Sequence, residues 1–494
     1  MAAIEEKTGP CLLFLSKIGV RRLILLGLLL WVTFCFWNIL YVFFTQDDFL
    51  LLADVQKPMP NMSMLQGSSF FRPLAQYWVT LLCYEIWGLN PFWHHLVYLL
   101  FSLATIALLF NWLFAMSKST LGALAGSILY GLSKIHLYTL AWISDGNDVT
   151  GAFFLILALW AVNRYFQSVD ETTGKGSAKL LWLIGISFCL GLLSKESCIT
   201  FAPVCLIWII VRNILSRRRF QSAQWKLAIM VVVISCVYLI MWRLLCRAVG
   251  TPGGKFQFDL NRGLLALRNS VIAVIPVLES RLPVSSWWLL APLAIVIMLV
   301  AEARKRLPTA AAIWENLALG MAIWIVPAAI YVFTEYPFGL QLYHSIFCIV
   351  GLSLLLAMAV SIAEPLIIKI IPRRSVANAA VACVFIAWIG FAGASVRSGA
   401  RRNESAGLFQ ASTSKVVFEQ IQEQLQQHDY REIVFLDVTE RVQWAMYFGK
   451  IVTVYHPEIK VRYIDQNPSG GQWHTSSTTL VMRQMSETKF SVVK

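Results

Sequence analysis

Charge is what this chain has least of. Asp, Glu, Lys and Arg together make up 14% of its 494 residues, where an ordinary soluble domain carries roughly 25%. With 58% hydrophobic residues and a mean hydropathy of +0.65, that shortage excludes a soluble enzyme and predicts a polytopic α-helical membrane protein. Disulfide and zinc frameworks are also missing. The ten cysteines show no CxxC spacing and none follows Cys383. Cys35, Cys83, Cys189, Cys205, Cys236 and Cys383 lie in apolar segments, where a thiol behaves as a small buried hydrophobe. His94, His95 and His136 have no second histidine or carboxylate at ligand spacing, so they read as packed or interfacial rings. No basic stretch is interleaved with stacking aromatics in a soluble segment, so the net charge of +14 reports topology and excludes nucleic acid as a partner.

What is present is a series of long apolar runs and 19 tryptophans, which suit many crossings of the two membrane interfaces. About eleven runs approach the roughly 20 residues that a spanning helix needs. Their cores are Leu23 to Phe44, Phe92 to Phe114, Leu121 to Leu137, Val149 to Tyr165, Leu180 to Leu193, Ile199 to Val211, Leu227 to Leu245, Trp287 to Ala301, Leu317 to Phe333, Ile346 to Ile362 and Val376 to Ala394. The Leu180 to Val211 pair is split only by Ser194-Lys195-Glu196-Ser197, which leaves a re-entrant arrangement open. Basic clusters fall in alternate loops: Lys17, Arg21 and Arg22; Arg164, Lys175 and Lys179; Arg212 with Arg217 to Arg219; Arg304 to Arg306; Arg373 and Arg374. Short Lys/Arg-rich loops stay in the cytoplasm, so the N-terminus is expected there and the C-terminus outside. The first span lacks a small-residue cleavage site and reads as a retained anchor.

Two parts follow, a membrane domain over 1–395 and a polar α/β domain over 396–494. In the latter, Lys415 to Gln427 has helical periodicity, while Glu432 to Leu436, Ile451 to Tyr455, Thr478 to Met482 and Phe490 to Val493 read as strands. Two outer loops, 45–91 and 248–286, are long, and each contains an amphipathic stretch, Leu74 to Ile86 and Leu260 to Val277. Loops of that length usually carry function.

The first outer loop opens with Asp47 and Asp48. Ionised groups at a bilayer edge are expensive unless used, so the pair is a candidate site, although acidic residues also simply end helices. Arg72, in Phe70-Phe71-Arg72-Pro73-Leu74, offers a cation nearby. The topology places Asp145, Asp148, Lys195, Glu196, Arg262 and His344 on the same side. Lys195 and Glu196 read either as site residues or as a pair capping two short helices. Arg262 and Arg268 read as substrate ligands or as anchors to lipid headgroups. Tyr343 and His344 stand at the mouth of the tenth helix.

In order, four stretches resemble the GT-C superfamily of glycosyltransferases. They are Asp47-Asp48-Phe49; Phe71-Arg72-Pro73-Leu74 with Gly88-Leu89-Asn90-Pro91 and His95-Leu96-Val97; Ala141-Trp142-Ile143-Ser144 with Asp148; and Leu192-Leu193-Ser194-Lys195-Glu196 with Ile199-Thr200-Phe201. They cover about the first two hundred residues. The branch most resembled is the protein O-mannosyltransferase-like one, which includes the transmembrane-and-tetratricopeptide enzymes and bacterial relatives.

The resemblance implies a GT-C-like fold and transfer of a sugar from a polyprenyl-phosphate donor to a glycan, lipid or protein acceptor on the outer face. It maps the family's first-loop acid to Asp47 or Asp48, its RPL-box arginine to Arg72 and its later aspartate to Asp148. Inverting transfer needs a base for the acceptor hydroxyl, here assigned to Asp47 with Asp48 as its partner, a division the sequence leaves open. The charge growing on the lipid phosphate needs donors, for which Arg72, Lys195 and Arg262 are candidates. Asp148, Glu196, His136, Tyr343 and His344 are further cavity candidates. Some members of the superfamily use a divalent metal, Mg or Mn; Asp47-Asp48 is the acidic cluster here that offers one a place, and nothing in the sequence demands it.

Departures are plain. Relatives read His-Pro-x-His-x-Glu and Gly-Arg-x-Asp where this chain has Tyr138 and Gly146, and a Glu-Arg near the tenth helix is Leu340-Gln341. Tetratricopeptide repeats are absent. An inactive relative serving as a membrane subunit, with the C-terminal domain binding a protein partner, is therefore the alternative. A transporter fits less well, because the charges sit at helix mouths and no half-to-half similarity appears. Sequons at Asn61 and Asn403 carry little weight, and short connecting loops point to a bacterial inner membrane with a periplasmic active face.

Overall fold

The computed structural model describes residues 10–57, 71–169, 175–216, 220–246, 258–274, 310–333, 342–370, 374–401, 406–464, 478–486 and 489–493. Its membrane part is helical. In chain order the helices are α1 (Pro10–Phe36), α2 (Asp47–Val55), α3 (Thr80–Trp87, entered through a π-helical turn, Pro73–Val79), α4 (Pro91–Ser117), α5 (Thr120–Gly131), α6 (His136–Thr139), α7 (Gly146–Gln167) and α8 (Ala178–Ser194). Then come α9 (Phe201–Ser216), α10 (Ser222–Cys246), α11 (Leu260–Val274), α12 (Ala310–Phe333), α13 (Ile346–Ile370) and α14 (Arg374–Arg401).

Seven described helices are long and apolar enough to cross a membrane, and α5 and α8 are shorter apolar helices. Ten of the eleven expected cores fall on helices; the eighth, Trp287 to Ala301, lies outside the described residues. Lipid-facing surfaces are apolar, as on α10, where Trp225, Ile229, Val233, Val237, Ile240 and Leu244 are exposed. Helix starts follow local chemistry. Asn90 accepts the N–H of Phe92 ahead of Pro91, and Ser119 caps α5 through the N–H of Gly122. In the bundle, small residues let backbones approach: a Cβ on Gly122 would lie 2.5 Å from the carbonyl of Ala357, and one on Gly351 would strike Trp324.

The third expected core is shortened. Its helix stops at Gly131 rather than Leu137, because Ser133 and Lys134 turn away and bond to the carbonyl of Ala273 on α11. Irregular backbone at this depth is tolerated because protein, not lipid, satisfies it. Both amphipathic stretches are helical where described, Leu74 to Ile86 as the π turn plus α3 and Leu260 to Val274 as α11, while 275–277 lie outside the described residues.

The C-terminal domain contains α15 (Ala406–Gln427), β1 (Glu432–Leu436), α16 (Glu440–Ala445), α17 (Lys450–Tyr455), β2 (Lys460–Ile464), β3 (Thr479–Ser486) and β4 (Lys489–Val492). The sheet order is β2-β1-β3-β4. β1 runs parallel to β2 and β3, with Val434 opposite Arg462 and Val481, and β4 closes the edge antiparallel to β3. One expectation is corrected here: Ile451 to Tyr455 is a helix. Gly449, at φ +86°, starts it, and burial of Ile451, Val452 and Val454 outweighs their β-branched preference. The strand lies instead at Lys460–Ile464, an edge strand whose charges, Lys460 and Arg462, mask its alternation.

Candidate active site

The site forms where chain breaks meet. Asp47 and Asp48 open α2, immediately after Gln46, whose backbone sits at φ +51°, ψ −126°, a region that costs a side-chained residue about 1–3 kcal/mol. The surroundings hold that turn. Gln46 donates its N–H to the carbonyl of Ala445 at 3.1 Å, and the Ser414 hydroxyl meets Ala445 O at 2.7 Å and Thr45 Oγ1 at 3.4 Å. Phe43 stacks on Phe418 at 5.3 Å, and Gln56 reaches Val454 O at 3.0 Å. The C-terminal domain thus clamps the acidic loop onto the membrane domain.

The two neighbouring carboxyls have different surroundings. Asp48 is fully buried; its Oδ2 accepts the N–H of Thr45 at 3.0 Å and its Oδ1 that of Ser144 at 2.7 Å. Burial pushes its pKa up to about 8, against the pull of those N–H groups and with a further push from Asp47. Asp47 is only partly buried. Burial raises it to about 6, and the Arg72 charge holds it back from rising further. Asp47 therefore ionises near neutrality, where a general base must, while Asp48 ties α2 to the start of α7.

Two charge pairs complete the cluster. Arg72 grips Glu196 as a fork, Nε to Oε2 at 2.6 Å and Nη2 to Oε1 at 2.5 Å. Lys195 Nζ meets Asp148 Oδ2 at 2.7 Å and Asn147 Oδ1 at 3.3 Å, with Lys195 3% and Asp148 1% exposed. Lys195 is a single extended residue, φ −150°, between α8 and the 3-10 turn Glu196–Thr200. That break turns the neighbouring side chains toward different partners, so Lys195 and Glu196 are not a pair with each other. Gly151 makes room: a Cβ there would lie 3.0 Å from Lys195 Cβ.

Asp145 also belongs to the cluster. It is 5% exposed, lies within reach of the charges of Asp148, Lys195 and Arg72, and its Oδ2 has no hydrogen-bond partner among the described residues. Sequence reasoning grouped it with Asp148, Lys195 and Arg72 without giving it a role. The signal was its i, i+3 spacing to Asp148 at the head of α7. Asn147, which bridges Ser144 O and Lys195, had no signal at all. At Gly146 a side chain would run into the Tyr98 ring.

Other candidates stand apart. Arg262, on α11, pairs locally with Asp259 at 3.4 Å. His344 is buried against Tyr331, whose hydroxyl donates to His344 O at 2.8 Å, and Tyr343 falls in the same 3-10 turn, Leu342–Ser345. His136 is a packed ring rather than a lining group: it is buried between Phe36 and Tyr130, and its Nε2 bonds Tyr130 O at 3.1 Å.

A divalent ion of the Mg or Mn type needs several oxygen ligands. Both oxygens of Asp48 are already taken by backbone N–H groups, and among the described residues no three His, Cys, Asp or Glu side chains are placed to hold a metal ion. The donor set at Asp47-Asp48 does not fit a resident metal.

Comparison with known proteins agrees with this architecture. Residues 72–242 match the profile of the dolichyl-phosphate-mannose-protein mannosyltransferases, a stretch that contains Arg72, Asp148, Lys195 and Glu196. No curated protein matches the sequence. Among solved structures, the oligosaccharyltransferase of Archaeoglobus fulgidus in its apo form is similar with a TM-score of 0.53 at 10% identity, over 91% of this chain and 65% of that one. The chain has the GT-C fold. A second structure of that GT-C protein, AglB in complex with an inhibitory peptide and a dolichol-phosphate, gives a TM-score of 0.51 at 10% identity over 88% of this chain and 64% of that chain. ArnT from Cupriavidus metallidurans bound to undecaprenyl phosphate gives 0.48 at 13% identity over 93% and 92%.

Proposed function

We propose that this GT-C protein is an integral-membrane glycosyltransferase that passes a sugar from a polyprenyl-phosphate donor to an acceptor on the outer face of a bacterial inner membrane. The observation that carries this reading is Asp47, a partly exposed carboxyl held near 6 and backed by two buried cation–carboxylate pairs, Arg72–Glu196 and Lys195–Asp148. The mannosyltransferase profile over 72–242 and the dolichol-phosphate carried by a GT-C structure of the same fold support the donor class. The alternate basic loops support the outward face.

In the step proposed, an acceptor hydroxyl oxygen forms a bond to the anomeric carbon and gives its proton to Asp47. The bond from that carbon to the phosphate oxygen breaks, and its electron pair goes to the lipid phosphate. Attack opposite the leaving group inverts the anomeric centre. Arg72 and Lys195 stabilise the growing phosphate charge, Asp148 and Glu196 hold those cations in place, and Asp48, protonated at neutral pH, fixes the loop. No step is routed through a metal.

One observation favours the alternative of a non-catalytic membrane subunit: both cations are already closed on carboxylates. The deciding experiment is a transfer assay with the purified protein and a polyprenyl-phosphate hexose, comparing wild type with Asp47→Asn. Transfer lost in the variant while bound lipid phosphate is retained supports the proposal. Equal transfer by both sinks the base assignment, and no lipid-phosphate binding by either favours the subunit reading.

A further inference from the structure

The C-terminal domain brings a group of aromatic rings to the acidic loop. Between α16 and α17 the chain runs Trp444-Ala445-Met446-Tyr447-Phe448-Gly449, and Tyr447, Phe448 and Gly449 have φ of +44°, +50° and +86°. Side-chained residues rarely adopt such angles, and strain of this kind persists where the surroundings impose it. The turn gathers three rings, with centroids 5.1 Å apart for Trp444 and Phe448, 6.2 Å for Trp444 and Tyr447, and 6.1 Å for Tyr447 and Phe448. Phe448 is 48% exposed, and Trp444 and Tyr447 are half-buried. The segment lies directly on the acidic loop through the Gln46 to Ala445 bond, and Tyr447 lies within reach of the charges of Asp47 and Asp54.

We propose that Trp444, Tyr447 and Phe448 form a platform for a pyranose ring of the acceptor, which makes the acceptor a glycan or a glycolipid headgroup. The proposal rests on the glycosyl-transfer reading above. A pyranose presents a face of C–H groups whose partial positive charge suits the negative face of an aromatic ring. Its rim of hydroxyls needs polar acceptors, and Asp47, whose charge Tyr447 senses, supplies one. The acceptor is favoured over the donor sugar by placement. Asp47 senses Arg72, held by the membrane helices, and Tyr447, carried by the extramembrane domain. Asp47 thus has a cation of one domain and a ring of the other as neighbours, which suits a base that serves both donor and acceptor.

Saturation-transfer NMR on the full chain in nanodiscs tests this with methyl α-D-mannopyranoside and methyl β-D-glucopyranoside. Transfer to the ring C–H protons of at least one probe is expected, falling several-fold in Phe448→Ala and Trp444→Ala and unchanged in Phe220→Ala, which removes an exposed ring elsewhere. Should Trp444→Ala fail to fold, the exposed Phe448 position carries the test. No transfer to either probe, or transfer indifferent to Phe448→Ala, overturns the platform and leaves the rings as membrane-interface anchors. A second arm uses citronellyl-phosphate mannose. Loss of its mannose signals in Phe448→Ala would assign the rings to the donor and overturn the acceptor assignment; unchanged signals support it. If that probe gives no signal with any form of the protein, the donor reading fails, while the platform stands or falls on the methyl glycosides.

Discussion

Two corners at the helix mouths carry cations, and they are built differently. At the first, Arg72 and Glu196 are 124 residues apart in sequence and Lys195 and Asp148 are 47 apart, so the pairs tie separate segments together, Lys195 and Asp148 at 3% and 1% exposure and Arg72 and Glu196 at 9% and 22%. At the second, Arg262 pairs three residues away with Asp259, at 21% and 38% exposure. A local pair is what an interfacial helix forms simply by being charged. A buried pair between distant segments costs desolvation, and that cost is understandable where the charges serve a phosphate. The first corner therefore fits the proposed donor site better than the second.

Breaking the first corner should do most damage. Lys195→Met leaves Asp148 buried without its cation and should cost about 3–5 kcal/mol, read as a large drop in melting temperature; a Lys195→Met, Asp148→Leu double variant should recover most of that stability and none of the transfer. Recovery of transfer by the double variant would remove Lys195 from the donor site. Next, Arg72→Lys keeps the charge but loses the fork. One charge-assisted bond is worth about 1.5–3 kcal/mol, so lipid-phosphate retention measured by native mass spectrometry should weaken by roughly 10- to 100-fold. Unchanged retention would show that the fork serves only Glu196.

A gentler test uses Asp48. Its folded pKa of about 8 lies above the roughly 3.9 of an unfolded aspartate. The folded state therefore binds the proton more tightly, and stability should fall as pH rises from about 4 to about 8, then level off. Melting curves across that range should slope in wild type and flatten in Asp48→Asn; parallel curves would contradict the burial argument. The smallest effect is expected from Arg262→Gln, whose local, partly exposed pair is worth about 0–1 kcal/mol. Lipid-phosphate retention within roughly threefold of wild type is expected, and a tenfold loss would restore Arg262 to the donor site.

Much of this was legible in the sequence. Long apolar runs located ten of the described helices because lipid demands length and hydrophobicity together. Alternating basic loops put Asp48, Asp148, Lys195 and Arg72 on one face, and the structure brings them together. Partner choice was not legible. Nothing local says that Arg72 takes Glu196 while Lys195 takes Asp148, since both choices follow from a one-residue extended break at Lys195. The separation of Asp47 from Asp48 was equally hidden, because it depends on the full burial of Asp48 against a segment, at Ser144, nearly a hundred residues away. In the C-terminal domain, Ile451 to Tyr455 looked like a strand by composition, and packing against the sheet and α2 made it a helix.

The most direct test of the central claim is the pH dependence of sugar transfer from a polyprenyl-phosphate hexose in wild type and Asp47→Asn. With Asp47 as base, the wild-type rate should rise with pH through a midpoint near 6 as the carboxyl loses its proton. The variant should be lower by at least about a hundredfold and lack that limb. An Asp47→Asn protein with the wild-type rate and the same acidic limb would contradict the account.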